Sequence, residues 1–434
     1  MMSIKVQKTI LLNMLVLLSV ILTSCSSTGE TLQYEGDKQM RAKLKIMAID
    51  SKKGFMEDYG DLFNAKYPNI EIELINFGEN NFDEVLASEN PDVLLTSLDQ
   101  YEQLVQNNKL YDLDALMNKD EFNLNGMHQG IVEYLRVTGK GKLYGLPPQL
   151  LPKALFYNKD LFDKYSIPYP EDQMTWEEVL QLAGRFPVED GVNGLYMRDF
   201  NAFVEALSRS TSLSLVNVKD LRVTINTDSY NRMFNMILDA HQSGAVVMPG
   251  LDALDVNDPF VTGASAMTMD YYYYINNNIG RAKIEQGNKL HLNWDVVTAP
   301  VNETNREISP YFHLVAIFSV QAKSEQKQAA WEFVKFVNSE EFAQARSRTN
   351  QFTLPSRADF VYNPEGKRME AFYKLKPDVN WTPVNYDLLP KGFYGKMRDI
   401  INSEGKATMV GTKTLEEAIA SIQERGQQLL EQNK

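Results

Sequence analysis

Between Leu44 and Gln106 the apolar positions switch repeatedly from a strand period to a helix period. Leu44 to Ile49 is a short apolar run and predicts a strand. Gly54 to Tyr67 places Phe55, Tyr59, Leu62, Phe63 and Tyr67 near one helical face, and Pro68 ends it. Ile70 to Asn76 alternates with period two, Phe82 to Ala87 predicts a short helix, Val93 to Thr96 a buried strand, and Asp99 to Gln106 another helix. Strand and helix in turn are the mark of a parallel α/β sheet. Ligands of such sheets sit beyond the carboxyl ends of the strands. The residues just past each predicted strand are Asp50-Ser51-Lys52, then Phe77 to Asn81, then Ser97 and Asp99. Short loops before helices are polar in any case, because turn and N-cap residues are. Taken as a row, Asp50, Asn80, Asn81, Ser97 and Asp99 nevertheless mark a ligand-facing rim.

The pattern then becomes less regular. Lys142 to Pro148 is an extended piece ended by prolines, Ala154 to Tyr157 a short strand, and Asn158 to Tyr165 a helical turn or two broken by Ile167-Pro168-Tyr169-Pro170. Thr175 with Glu178 forms a capping box that opens the helix Trp176 to Phe186. Ala266–Met269, Trp294–Thr298 and Leu314–Val320 read as strands. Gln326 to Asn338 is an amphipathic helix with Ala330, Phe333, Val334 and Val337 as its core stripe, and Glu416 to Leu430 closes the chain as a helix. No internal repeat interrupts this order.

The N-terminus has its own character. Lys5 and Lys8 precede an apolar run from Ile10 to Leu22, and Leu22-Thr23-Ser24 leads into Cys25. That order is a secretory signal (1–24) with a lipobox-like cleavage site. The run falls short of the about 20 residues that a spanning helix needs. Cys25 is the only cysteine of the 434 residues, which rules out an internal disulfide; thioether acylation supplies a reason for it, with a free reactive thiol as the alternative. Ser26 to Lys38 is Ser/Gly/Thr/Glu-rich, so 25–40 reads as a lipidated flexible tether. An apolar fraction of 44% and an aromatic fraction of 11% are those of a globular body. The net charge of −13 at pH 7 excludes nucleic acid, whose phosphates require Lys and Arg to replace counterions.

Seven landmarks then carry a resemblance: Phe63-Asn64-Ala65-Lys66-Tyr67-Pro68-Asn69-Ile70; Asn90-Pro91-Asp92-Val93; Gly141-Lys142-Leu143-Tyr144-Gly145-Leu146-Pro147; Ala154-Leu155-Phe156-Tyr157-Asn158-Lys159-Asp160-Leu161-Phe162; Thr175-Trp176-Glu177-Glu178; Gly263-Ala264-Ser265-Ala266-Met267; and Ala329-Ala330-Trp331-Glu332-Phe333. In this order and spacing, over nearly the whole mature chain, the sequence resembles the extracellular solute-binding proteins of carbohydrate ABC importers, the family of maltose-binding protein. The resemblance implies an α/β, two-lobed periplasmic-binding-protein fold of type II. Each lobe would be a mixed sheet flanked by helices, joined at a three-segment hinge, with the ligand in the cleft. Carried onto this chain, the crossings fall near Leu150–Ala154, Val301–Tyr311 and Gln321–Ser324. Lobe one would then be 41–150 plus 305–322, and lobe two 151–304 plus 323–434. The implied partners are a carbohydrate and the membrane permease subunits of an ABC importer, with the lipid anchor holding a monomer at the outer face of the cell membrane. No cofactor or metal is implied.

Sugars offer flat C–H faces and hydroxyl edges, so a site needs aromatic plates beside planar polar groups. Met269-Asp270-Tyr271-Tyr272-Tyr273-Tyr274 follows a strand where the family carries a Gly-X-Trp-type stacking segment, and here tyrosines replace the tryptophan. The offset points to Tyr273 as the stacking ring, with Asp270 and Tyr271 beside it; strand alternation turns about half of the tyrosines into the core. Gln149 lies near the cleft floor, Tyr311 and His313 at the return crossing, and Trp381 in a loop able to roof the cleft. His313 reads as a structural histidine. Asp50 stands where relatives carry an aromatic residue, which leaves the ligand type open.

Other classes find less support. The histidines are His128, His241, His291 and His313, without metal or nucleophile spacing, and there is no Gly-x-Ser-x-Gly and no Walker loop. A glycan-active enzyme using a carboxylate pair stays open. So do a same-fold receptor for another small solute, such as ferric iron held by tyrosine oxygens, and a docking lipoprotein without a transport role.

Overall fold

A computed structural model describes residues 38–78, 81–249, 258–314, 316–378 and 389–431. The signal, Cys25, most of the expected tether, Asn80 and Trp381 lie outside the described residues.

The first lobe is built on a five-stranded sheet of β1 (Ala42–Ala48), β2 (Ile70–Asn76), β3 (Val93–Thr96), β4 (Gly145–Leu146) and β14 (Ile317–Val320), in the order β2-β1-β3-β14-β4. β1 runs parallel to β2 and β3, whereas β14 runs antiparallel to β3 and β4. The alternating strands and helices of the first hundred residues thus form the parallel half of a mixed sheet.

The second lobe is built on β5 (Gln149–Asn158), β6 (Asn193–Tyr196), β9 (Val246–Val247), β10 (Ser265–Tyr271) and β11 (Trp294–Thr298), in the order β11-β5-β10-β6-β9. Alternation sends Leu155, Tyr157, Met267 and Val297 into one core and Ala154, Phe156 and Val296 into another, so helices cover both faces. Two short pairs complete the strands: β7 (Val216–Asn217) with β8 (Arg222–Val223), and β12 (Ile308–Ser309) with β16 (Lys376–Pro377). The expected capping box is present: Thr175 Oγ1 accepts from the Glu178 amide at 3.2 Å, and Glu178 Oε2 accepts from the Thr175 amide at 2.8 Å.

The hinge gathers on the first residues of β5. β15 (Leu354–Pro355) pairs Gln149 and Leu150, and β13 (Phe312–His313) pairs Leu151 and Pro152. Leu150 belongs to the first lobe's core and Ala154 to the second's; Tyr311 packs in the second and Leu314 in the first. Pro152 brings no amide hydrogen to this ladder, and its carbonyl accepts from Tyr272 at 3.1 Å.

The expected third crossing near 321–324 and the assignment of 323 onward to lobe two are corrected. The helices Lys327–Val337 and Glu340–Arg346 stay on lobe one, where Ala330, Phe333, Val334, Val337 and Phe342 enter its core. Arg357 still bonds the carbonyls of Asn123, Asn125 and Asn338, while Leu354 already enters the core of the second lobe and Met369 to Phe372 complete the passage into it. An amphipathic stripe demands burial without specifying the lobe that provides it.

Two buried polar groups shape lobe one and its junction. Lys335 Nζ lies 3.0 Å from Glu332 Oε1 and 2.6 Å from Asp120 Oδ2, with Tyr67 donating to Glu332 at 3.0 Å. Burial pushes the Glu332 carboxyl up to about 7. His128 packs edge-on to Phe312 of the hinge, 5.1 Å between ring centres, and its amide donates to Ser356 O. Among the described residues neither of its ring nitrogens meets a partner at full hydrogen-bond geometry, and burial holds its pKa below the ordinary histidine value, opposed by the nearby Leu375 and Tyr373 carbonyls.

Lys335→Met leaves two buried carboxylates without their cation and is expected to cost about 3–5 kcal/mol in denaturant unfolding at pH 7. The cost should shrink toward pH 5 as Glu332 becomes neutral. For His128, the unfolded chain takes up a proton near pH 6.5 that the native state resists, so stability falls as pH drops below that value. Unfolding of His128→Leu, followed between about pH 6.5 and 5, is expected to depend less steeply on pH than that of the parent.

Candidate ligand cleft

The strand directions decide which residues meet at the cleft. In lobe one the carboxyl ends of β1, β2 and β3 share one edge of the sheet, and β4 leads from that edge through Pro147 and Pro148 into the hinge. In lobe two β10 and β6 are parallel to each other and antiparallel to β5, so their carboxyl ends return to the hinge end of the sheet. Asp50, Asn81, Ser97 and Asp99 therefore come from one lobe, and Asp270, Tyr271 and Arg198 from the other, with Gln149 between them.

On the lobe-one rim, Asp50 is half-buried; burial raises its carboxyl pKa and the charge of Asp58 raises it further. Asn76 Nδ2 fixes the end of β1 by donating to the carbonyls of Ile49 at 3.2 Å and Asp50 at 2.6 Å. Ser97 is an N-cap whose hydroxyl accepts from the Gln100 amide at 3.3 Å, inside a complete capping box. Asn81 Oδ1 accepts from the Gly78 amide at 2.7 Å. Both side chains thus hold local backbone. Asp99 lies half-buried in the first turn of the helix that Ser97 caps. Gln149 is buried, and its Oε1 accepts from the Tyr59 hydroxyl at 3.5 Å.

The tyrosine run divides by strand alternation. Tyr272 and Tyr274 are buried in the core, and the Tyr274 hydroxyl donates to Asp258 Oδ2 at 2.7 Å. Asp258 also accepts from Asn278 at 3.1 Å and from the Val261 amide at 2.9 Å, which ties the turn after the tyrosines to the body of the lobe. Tyr271 and Tyr273 remain half-buried with rings 5.5 Å apart, and Lys153 Nζ sits 4.5 Å from the Tyr271 ring centre.

Asp270 combines two properties. Its side chain still touches solvent, yet burial raises its carboxyl pKa, opposed by the nearby charges of Lys153 and Arg198. A group enclosed on most sides and wetted on one lies in a concave wall. Its Oδ1 accepts from the Tyr271 amide at 2.7 Å, which leaves Oδ2 for a ligand. Two single π-helical turns flank the cleft, Met56–Gly60 carrying Tyr59 and Ile275–Gly280 directly after Tyr274. Such turns re-aim side chains and are frequent at functional sites.

Two expectations at the return crossing change. Tyr311 is a core residue of lobe two: its hydroxyl donates to Ala206 O at 2.6 Å and accepts from Trp176 Nε1 at 3.0 Å, so it is not available to a ligand. His313 is exposed at the hinge rather than structurally satisfied. Lys153, Arg198 and Tyr59 were not singled out from sequence. Arg198 follows β6 as Asp50 follows β1, and the strand-end rule applied to Leu195-Tyr196 finds it.

Among the described residues no helix is long and apolar enough to cross a membrane, and no group of three or more His, Cys, Asp or Glu side chains can hold a metal ion. Two sheet-based lobes on a common hinge, with polar and aromatic side chains at the strand ends of each, define the two-lobed fold of a binding protein. The chain belongs to the bacterial extracellular solute-binding proteins, whose family model matches residues 48–344. A Brucella abortus (strain 2308) chain, named only for binding, is 25% identical over 363 residues, covering 79% of this chain and 83% of that one. Among solved structures, an extracellular solute-binding protein of family 1 from Alicyclobacillus acidocaldarius superposes with a TM-score of 0.66 at 16% identity, covering 90% of this chain and 98% of that one. A sugar transporter from Rhizobium etli in an open conformation gives a TM-score of 0.61 at 19% identity, covering 89% and 99%. A substrate-binding protein from Listeria monocytogenes in complex with cycloalternan gives 0.55 at 20%, covering 90% and 99%. These likenesses confirm the two-lobed fold.

Asp270→Asn is expected to raise the melting temperature of the ligand-free protein at pH 7, on the order of 2 °C. The native state then no longer holds a half-buried carboxylate there. Because both states protonate Asp270 in acid, the difference between variant and parent should vanish near pH 4 in a thermal melt.

Proposed function

We propose that the chain is a lipid-anchored receptor that captures a sugar or oligosaccharide in the interlobe cleft and delivers it to the membrane subunits of an ABC importer. The observation that carries this reading is the half-buried pair Tyr271 and Tyr273 beside Asp270, on the wall opposite Asp50 and Asp99. An aromatic face with carboxylates at its edge matches the C–H face and hydroxyl rim of a pyranose. Lys153 occupies a face of Tyr271, so Tyr273 serves as the stacking ring and Tyr271 as its support. The sugar transport named for the Rhizobium protein and the cycloalternan bound by the Listeria protein point the same way.

Capture works through the hinge. Ligand contacts to both walls exist only when the lobes are closed, so binding shifts the population toward that state. Cys25 carries the lipid in this reading, and 25–40 lets the body reach both solvent and permease. The role we assign to the cleft residues is binding without turnover, in line with the solute-binding family to which the chain belongs.

A glycan panel tested by thermal shift on the full chain checks the reading. A true ligand at 100 times its dissociation constant should stabilise by about 2.7 kcal/mol and compact the protein in small-angle scattering. Tyr273→Ala should weaken that ligand roughly 10- to 30-fold while leaving the unliganded melt within a degree or so. Binding without compaction, or hydrolysis of the glycan, would overturn it.

A further inference from the structure

A pocket of about 950 Å³ opens on lobe two, within the range of small-molecule sites. It follows the outer face of the helix Phe200–Ser210 and the first turns of the helix Phe393–Met409. Arg198, Arg209 and Arg398 line it, and among the described residues Glu205 is the only carboxylate in its lining. The acids that steer two of these arginines stand outside. Asp199 Oδ2 lies 3.3 Å from Arg198 Nε, is buried, and uses its other oxygen to cap the helix through the Ala202 amide at 2.8 Å. Asp399 lies 3.2 Å from Arg398 Nη2. Each guanidinium is thus held by a chain neighbour while it borders the pocket, and only Arg209 meets its partner, Glu205, within the lining at 3.1 Å.

The placement connects this pocket with the cleft. Arg198 follows β6 at the sheet end that also carries Asp270, and its charge acts on both Asp270 and Tyr273. At the far end, the charge of Arg209 acts on His313 in the hinge strand β13. The arginine-lined wall therefore runs from the tyrosine platform toward the hinge. The chain as a whole carries a net charge of −13, whose field disfavours an anion elsewhere on the surface. Planar guanidinium groups match carboxylates and sulfates with two parallel hydrogen bonds.

We propose that this pocket binds the anionic groups of an acidic oligosaccharide, with Arg198 and Arg398 pairing its carboxylates or sulfates while a neighbouring ring stacks on Tyr273. The proposal rests on the sugar-receptor reading and narrows it to a substrate class. Ser212, also in the lining, offers a hydroxyl to the sugar ring.

Calorimetric titration of the full chain with an oligogalacturonate, its carboxyl-reduced neutral counterpart and a sulfated disaccharide tests the proposal and separates carboxylate from sulfate. The oligogalacturonate or the sulfated disaccharide should bind at least ~10-fold tighter than the neutral sugar, and added salt should weaken it. Arg198→Gln and Arg398→Gln should each lose about 10-fold for the acidic ligand, and Arg398→Gln, which lies away from the strand-end wall, should leave any neutral sugar unaffected. Asn201→Asp, which adds a carboxylate to the lining at nearly constant shape, should weaken the acidic ligand without removing an arginine and serves if an arginine variant misfolds. Equal or tighter binding of the neutral sugar, or unchanged acidic binding in both the arginine and Asn201 variants, overturns this proposal and leaves the sugar-receptor reading intact. If none of these sugars binds, the proposal falls; the sugar-receptor reading falls only if the glycan panel also yields no ligand.

Discussion

The constraint on which the rest depends is the crowding of three chain segments onto four residues of one strand. Gln149 and Leu150 carry β15, and Leu151 and Pro152 carry β13, before β5 has entered the second sheet. Three parallel connections resist sliding and twisting apart but yield to rotation, which is the geometry of a hinge. They also fix the distance between the two walls. The strand ends of one lobe therefore meet those of the other at a gap set by backbone, and side chains decide only what fills it.

Within that frame each wall is supported from behind. Asp258 holds the turn after the tyrosines by three hydrogen bonds, and Asn76 ties the end of β1 to the rim. Asp199 holds a helix and an arginine at once. Buried or half-buried polar groups here use their bonds to position the neighbours that face the cleft, in keeping with the general rule that preorganised sites need supporting contacts.

Much of the fold was legible because period and punctuation agreed. Ile70–Asn76, Val93–Thr96 and Trp294–Thr298 are strands with the expected bounds, and the Thr175–Glu178 box caps its helix. The helices Gln129–Thr138, Phe200–Ser210, Asp228–Gln242 and Phe393–Met409 were not read. The last two have much polar surface between their core positions, which blurs the apolar stripe. The boundary between lobes was missed because burial of Phe333 and Val334 is encoded locally, whereas the lobe that buries them is decided by β14 lying between β3 and β4. At the cleft, alternation predicted that half of the tyrosines are structural, and Tyr272 and Tyr274 are. Tyr311 was misjudged because its partners, Ala206 and Trp176, lie more than a hundred residues away in sequence. Separation along the chain also hid the electrostatic link of Arg198 and Lys153 to Asp270, which exists only once β5, β6 and β10 are side by side.

Pro152 gives the hinge a further property. A strand flanked on both sides is a poor place for a residue that cannot donate, and prolines are normally confined to sheet edges and bulges. Here it stands between Phe312 and the turn at Tyr272, where the lobes diverge. Turning one lobe against the other about this residue breaks no amide hydrogen bond of its own. The ladder is cut at the axis, like a perforation along a fold. At this point the two lobes are joined through the Pro152 carbonyl and through side chains, and there is no amide donor of its own to lose.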